Sequence, residues 1–98
     1  MNDQSTCETY DNGVKVWKLN NKLHRTDGPA VDYPDGTQAW YFNGKYHRAD
    51  GPAIEYMFNN TKHWYYHGVE CRIEDLKLWP IQLYLGYLKW MANELEDV

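Results

Sequence analysis

One stretch of this chain is written almost twice. Trp40 to Ala53 reads WYFNGKYHRADGPA, Trp17 to Ala30 reads WKLNNKLHRTDGPA, and a worn third copy begins at Trp64. The three Trp residues recur at a period of roughly 23 residues, the range in which each unit is one supersecondary element that buries its apolar face against its neighbours. On that register His24, His47 and Cys71 are equivalent, as are Arg25, Arg48 and Arg72, and Asp27, Asp50 and Glu74. Tyr10, Tyr33 and Tyr56 precede the Trp residues, so the units run 8–30, 31–53 and 54–75, with one inserted residue near Asn59-Asn60.

Each unit reads as β. In Thr37 to Phe42 the residues Gln38, Trp40 and Phe42 share one face, and Thr37, Ala39 and Tyr41 share the other, because side chains alternate across a strand. Turn signals punctuate the runs at Asp11-Asn12-Gly13, Asn20-Asn21, Asp35-Gly36, Asn43-Gly44, Asn59-Asn60 and His67-Gly68. Asn-Gly and Asp-Gly between alternating runs point to hairpins with type I′ turns, whose two central residues both need positive φ. Asp-Gly-Pro adds a corner between units. The fold expected is α+β: an antiparallel meander sheet of about 8–9 short strands, followed by one C-terminal amphipathic helix.

Ninety-eight residues make a single domain, 1–98, with hairpin units over 8–75 and the helix within 76–98. A chain of this size buries roughly 60–70% of its unfolded surface, enough for a core without metal or disulfide staples. Aromatic content is high at 16%, with five Trp and nine Tyr, a composition shared by strands and by binding surfaces. The formal charge of −4 lacks the basic footprint that nucleic-acid binding requires. No run approaches the ~20 apolar residues that span a bilayer, which excludes a helical membrane protein. The first residues, MNDQSTCETYDNG, hold no apolar leader. Together with the two cysteines, Cys7 and Cys71, this leads us to expect a cytoplasmic protein with reduced thiols.

After Arg72 the period changes. Glu74 and Asp75 suit a helix start, a short turn is expected over 74–78, and Pro80 suits the first turn of a main helix from Pro80 to Glu96. Ile81, Tyr84, Leu85, Leu88, Ala92 and Leu95 make one apolar stripe, expected to pack on the sheet. Trp79, Leu83, Tyr87 and Trp90 make a second stripe on the other side, expected to meet a partner or a second copy, since an exposed patch of that kind is costly.

The W-x-x-N-G-K pattern (Trp40 to Lys45) and the H-R-x-D-G-P-A element (24–30 and 47–53) resemble MORN-type hairpin repeats, in a degenerate bacterial and phage variant, over residues 8–75. The third copy departs from that pattern, having lost His, Asp and Pro. The resemblance implies an elongated hairpin sheet used as a scaffold or binding surface, and it implies no catalytic residues. A weaker likeness is to choline-binding repeats, whose aromatic hairpins hold a cation between units.

Several constellations have residue types suited to chemistry. His24, His47 and Cys71 are ligand types, but equivalent repeat positions stand in a row ~10–15 Å apart at ~4.8 Å per strand, not around a point. Asp27 and Asp50 read as turn residues. His47 with Asp50 has the residue types of an acid–base pair, yet the motif is duplicated. The Trp row reads as the seam under the helix, which leaves Tyr41 and Tyr65, with Lys18 and His63, on an exposed face. The acidic tail at Glu94, Glu96 and Asp97 reads as a solvated terminus. There is no Gly-rich phosphate loop, nucleophile elbow, CxxC or HExxH.

The expectation is thus a non-enzymatic protein-binding module without metal or cofactor. Its contacts fall on Trp79, Leu83, Tyr87, Trp90, Tyr41 and Tyr65, and its partner is a larger host protein, neither nucleic acid nor membrane. The repeat's phage and bacterial associations extend this to a small inhibitor docking on a host enzyme or defence complex. Two alternatives stand beside it: a small-ligand or glycan binder with aromatic inter-repeat clefts, and a homodimeric structural protein paired through the C-terminal helix.

Overall fold

The computed structural model describes residues 4–96, the side chains of 95 and 96 excepted. Ten short strands precede the helix: β1 (Thr6–Thr9), β2 (Lys15–Leu19), β3 (Lys22–Leu23), β4 (Val31–Asp32), β5 (Gln38–Ala39), β6 (Tyr41–Phe42), β7 (Lys45–Tyr46), β8 (Ile54–Tyr56), β9 (Thr61–Tyr66) and β10 (Val69–Cys71). A 3-10 segment, Ile73–Leu78, leads to α1, Ile81–Glu96. One eight-stranded antiparallel sheet runs β1-β2-β4-β5-β8-β9-β10, with β3 on β2, and β6 pairs with β7. The expected α+β meander with its C-terminal helix is the architecture found.

At the first two Trp residues the strand changes partners. The Trp40 N–H donates to the Ala53 carbonyl at 2.6 Å, while its own carbonyl accepts from the His47 N–H at 3.0 Å; Trp17 does the same with Ala30 and His24. The residues before Trp therefore build the long sheet, and those after it build hairpins. The hairpins stack through Gly44 N–H to the Leu23 carbonyl and Gly68 N–H to the Tyr46 carbonyl, both 2.8 Å.

Two kinds of turn close the units. Asn20-Asn21, Asn43-Gly44 and His67-Gly68 carry positive φ at both positions, the type I′ geometry. The other kind differs from expectation. At Tyr33 to Thr37 only Gly36 has positive φ (93°), and the Asp35 carboxylate accepts from the Thr37 N–H at 2.8 Å, so this is a longer turn held by its Asx side chain. Asn12 and Asn59 make the same bond to Val14 and Thr61. In the third unit, which carries the inserted residue, Asn60 (φ 60°) takes the glycine's place.

Two apolar clusters result. Val16, Val31, Ala39 and Ile54 are buried on one face of the long sheet, and Tyr41, Tyr46, Tyr56 and Tyr65 pack against them. Trp64, Trp79 and Leu83 form the other, joined by Tyr66, Leu76, Tyr84, Tyr87 and Trp90. Only the third Trp lies under the helix, contrary to the expected continuous seam. A 16-residue helix is about 24 Å long, and it starts beyond the third unit, so it reaches Trp64 and the corner of the second unit.

Candidate functional site

The repeated motif resolves into structural parts. His24 Nδ1 accepts the Asn43 N–H at 3.0 Å, and His47 Nδ1 accepts the His67 N–H at 2.8 Å. Each His thus ties its own unit to the first turn residue of the next. Cys71, third in the column, has no following unit to tie.

Arg25 and Arg48 lie over their own Trp rings, 4.1 Å from the Trp17 centroid and 3.9 Å from that of Trp40. Arg48 Nε donates to Asp50 Oδ1 at 2.8 Å and Nη1 to the Pro52 carbonyl at 3.2 Å; Arg25 repeats both bonds with Asp27 and Pro29. Gly51 is part of this clamp. A Cβ there would stand 2.6 Å from Arg48 Cζ, and one at Gly28 would stand 2.6 Å from Arg25 Cζ. Trp, His, Arg, Asp and Gly are therefore spent on joining and closing units, and the His47 and Asp50 pair has both members engaged elsewhere.

Trp64 has no such Arg above it. Arg72 turns outward toward Glu74 at 3.8 Å, and Trp79 takes its place, its Nε1 donating to the Arg72 carbonyl at 2.8 Å. Trp79, Tyr87 and Trp90 surround Trp64 at centroid distances of 6.1, 5.6 and 5.4 Å. The Trp64 indole Nε1–H has no hydrogen-bond partner inside this aromatic cage.

The faces of α1 are the reverse of those expected. Trp79 and Leu83 are buried and Tyr87 and Trp90 half-buried against Trp64, so the stripe expected to meet a partner is the docked one. The sequence holds a signal that decides between the stripes. Gly86 lies on the Trp79/Leu83/Trp90 side, and a Cβ there would collide with the Ala49 carbonyl. A glycine inside a helix marks where another backbone comes close.

The outward face is the one expected to be buried. Ile81 is 67% exposed, Leu85 56% and Leu88 47%, and Ala92 is exposed beyond them, while Tyr84 of the same stripe packs against the Trp64 cluster; Leu78, 78% exposed, lies in the 3-10 segment before the helix. Leu95 of that stripe lies outside the described side chains. A recess of about 450 Å³ lined by Leu76, Lys77, Trp79, Ile81 and Tyr84 opens beside the row. Contiguous apolar rows of this kind mark interaction sites on soluble proteins.

Tyr41 and Tyr65 are half-buried in a tyrosine row, not open on an exposed face. Tyr41 stacks on Tyr46 at 4.6 Å and Tyr46 on Tyr65 at 4.9 Å. Burial, then the neighbouring Tyr46 hydroxyl, holds the Tyr41 hydroxyl well above the ordinary tyrosine range; burial and then Glu70 raise that of Tyr65. Beside the row lies a groove of about 450 Å³ lined by Tyr33, Pro34, Asp35, Thr37, Tyr46, Ile54, Tyr56 and Phe58. Burial also raises the Cys71 thiol, which keeps it protonated and a poor nucleophile.

Among the described residues no group of three His, Cys, Asp or Glu side chains is placed to hold a metal ion, and no helix is long and apolar enough to cross a membrane. Comparison with protein-family profiles, curated proteins and solved structures finds no match to this chain.

Proposed function

We propose that this chain is a non-enzymatic protein-binding module that docks through the outward face of α1. The observation that carries this reading is the exposed row Ile81, Leu85 and Leu88, on a helix whose opposite face packs against Trp64. A surface helix needs one apolar face to hold it in place, and a second one, left in water, is the signature of a contact. The engagement of the motif's His, Arg and Asp side chains in structural bonds favours binding over catalysis. The likeness of the repeats to phage and bacterial hairpin arrays extends the proposal to a small inhibitor of a host enzyme or defence complex, an analogy carried by the motif. The test is capture from a cell extract by the wild-type chain and by a Leu85→Asp/Leu88→Asp variant, with any retained protein then purified and titrated. Binding by wild type and at least tenfold weaker binding by the folded variant is the expected result. Equal binding by both would sink the reading.

A second reading has an observation of its own. The groove between Tyr33, Tyr46, Tyr56 and Phe58 suits a small ligand or glycan that stacks on aromatic faces. Tyr33→Ala with Tyr56→Ala should then abolish calorimetric binding of such ligands and leave the α1 contact unchanged.

A further inference from the structure

Resting on the second reading, in which the groove beside the tyrosine row binds by stacking, the geometry points to its ligand: a proline-rich segment of another protein, in polyproline II conformation, with a lysine or arginine beside its prolines. Tyr10, Tyr33 and Tyr56 are equivalent residues of the three units. Tyr10 follows β1, Tyr33 follows β4 and Tyr56 ends β8, and the sheet order β1-β2-β4-β5-β8 sets two strand steps between each and the next. At ~4.8 Å per strand the tyrosines stand ~9.6 Å apart. A polyproline II helix repeats every three residues, a rise of ~9.3 Å. A chain of that form lying across the strands stays in step with the tyrosines. Its residues i and i+3 meet equivalent gaps, one between Tyr10 and Tyr33 and the next between Tyr33 and Tyr56. An extended strand, repeating at ~6.7 Å, and an α-helix, at ~5.4 Å, do not keep that step.

The three tyrosines share one face. Val31 and Ile54, each two residues before its tyrosine, are buried on the face where Tyr41, Tyr46 and Tyr65 pack. The pairing of Glu8 with Val16 puts Tyr10 on that face too. The Tyr33 and Tyr56 hydroxyls lie close enough to that of Tyr41 to add to its raised pKa. Tyr33 and Tyr56 thus line one side of the groove and Tyr46 the other, with Thr37 and Ile54 between them. Tyr10 and Tyr33 are 44% and 42% exposed, so their rings are open to a ligand. Proline rings dock on aromatic side chains, and a polyproline II chain arrives with its backbone already ordered and its carbonyls free to accept from tyrosine hydroxyls. Charge sets the flanking residue. Asp35 lines the groove, and no lysine or arginine does. Asp35 Oδ1 accepts the Thr37 N–H at 2.8 Å, which fixes the carboxylate in place for a cation. Glu8 and Glu70 lie on the same face, opposite Val16 and Tyr65, and Lys18 there is paired with Glu8 at 3.9 Å.

A labelled decaproline with a lysine at each end, titrated with the wild-type chain, should show saturable fluorescence anisotropy below about 1 mM. A glycine–serine peptide of equal length with the same lysines should not bind. Unlabelled glutamine peptides with proline at every third position should displace the decaproline, and those with proline at every second position should do so at least about tenfold less well. Tyr33→Ala, which opens both gaps, should weaken decaproline binding at least about tenfold with an unchanged circular dichroism spectrum. Tyr10→Ala, at an exposed turn, removes one gap and serves where the first variant does not fold. Asp35→Asn keeps an acceptor for the Thr37 N–H and should weaken the lysine-flanked peptide about twofold to fivefold, leaving an uncharged decaproline unaffected. Glu55→Gln, between Ile54 and Tyr56 and so on the opposite face, should change neither. Failure of the decaproline to bind overturns the proposal. Binding of maltohexaose in its place would still uphold the groove as a stacking site, and failure of both removes the second reading as well. Decaproline binding untouched by the tyrosine variants overturns the site. Equal displacement by the two spacings, or by neither, overturns the matched period. An equal loss in Glu55→Gln and Asp35→Asn overturns the role of Asp35.

Discussion

The bond from the His67 N–H to His47 Nδ1 exists only while that nitrogen carries no proton. Burial, then the charge of the stacked His67 ring 3.9 Å away, lowers the His47 pKa below its ordinary value. With the folded pKa below the unfolded one, the unfolded chain binds more protons near pH 6.5, so stability rises with pH there. The contribution is complete above about pH 6.5 and is lost as the pH falls through the lowered folded value. The melting temperature of wild type should therefore drop between pH 7 and pH 5 more steeply than that of His47→Asn; parallel curves would refute the assignment. The Arg clamp gives a second expectation at this scale. Gly51→Ala drives a methyl into the Arg48 guanidinium, releasing both the Trp40 stack and the bonds to Asp50 and Pro52. A loss of about 1–3 kcal/mol in urea unfolding is expected, from one cation–π contact and one charge-assisted hydrogen bond. Arg48→Ala should show a similar loss, and the double variant should lose little more than either single one. Additive losses would mean that Gly51 acts independently of Arg48.

Among the elements, α1 shows most clearly what sequence can and cannot determine. Its boundaries are legible: Pro80 stops the 3-10 segment, and apolar spacing carries the helix to Glu96. Its orientation is harder to read, because both faces are apolar and hydropathy alone does not rank Trp79/Leu83/Trp90 above Ile81/Leu85/Leu88. Packing shape decides. Three large aromatics enclose Trp64, and Gly86 lets the helix backbone lie on Ala49. Gly→Ala inside a helix ordinarily stabilises by about 1 kcal/mol. At position 86 the sign should invert, with a loss of at least about 1–3 kcal/mol from overpacking against a backbone that cannot rotate away. Hydrogen exchange would locate that loss in α1 and β6–β7; a stabilised Gly86→Ala would show that the helix does not dock as described. Leu83→Ala, at a fully buried site, should cost about 2–5 kcal/mol.

For the whole molecule, the repeats make the hairpin sheet legible and the junctions between repeats account for what was missed. A unit in an array is stabilised by its neighbours, and its ends need caps. The first two units close on the next through His24 and His47, while the third has Cys71 and an outward Arg72 in the corresponding places. Pattern alone makes that third copy look worn. In three dimensions it is where the array ends, and Trp79, Leu83, Tyr87 and Trp90 supply the cover that a fourth unit would have given Trp64. The helix is thus a cap on its inner face and an exposed apolar row on its outer one, and the two faces separate by mutation. A chain ending at Arg72 should lose the cooperative melt of the entire sheet, because Trp64 and the second unit's corner are exposed together. Leu85→Asp with Leu88→Asp should melt as wild type does, because those side chains already stand in water. Differential scanning calorimetry of the two variants against wild type makes the comparison directly. A truncated chain with an intact two-state transition would mean that the hairpins stand without the helix, and that α1 is an appended contact element and not the closing piece of the stack.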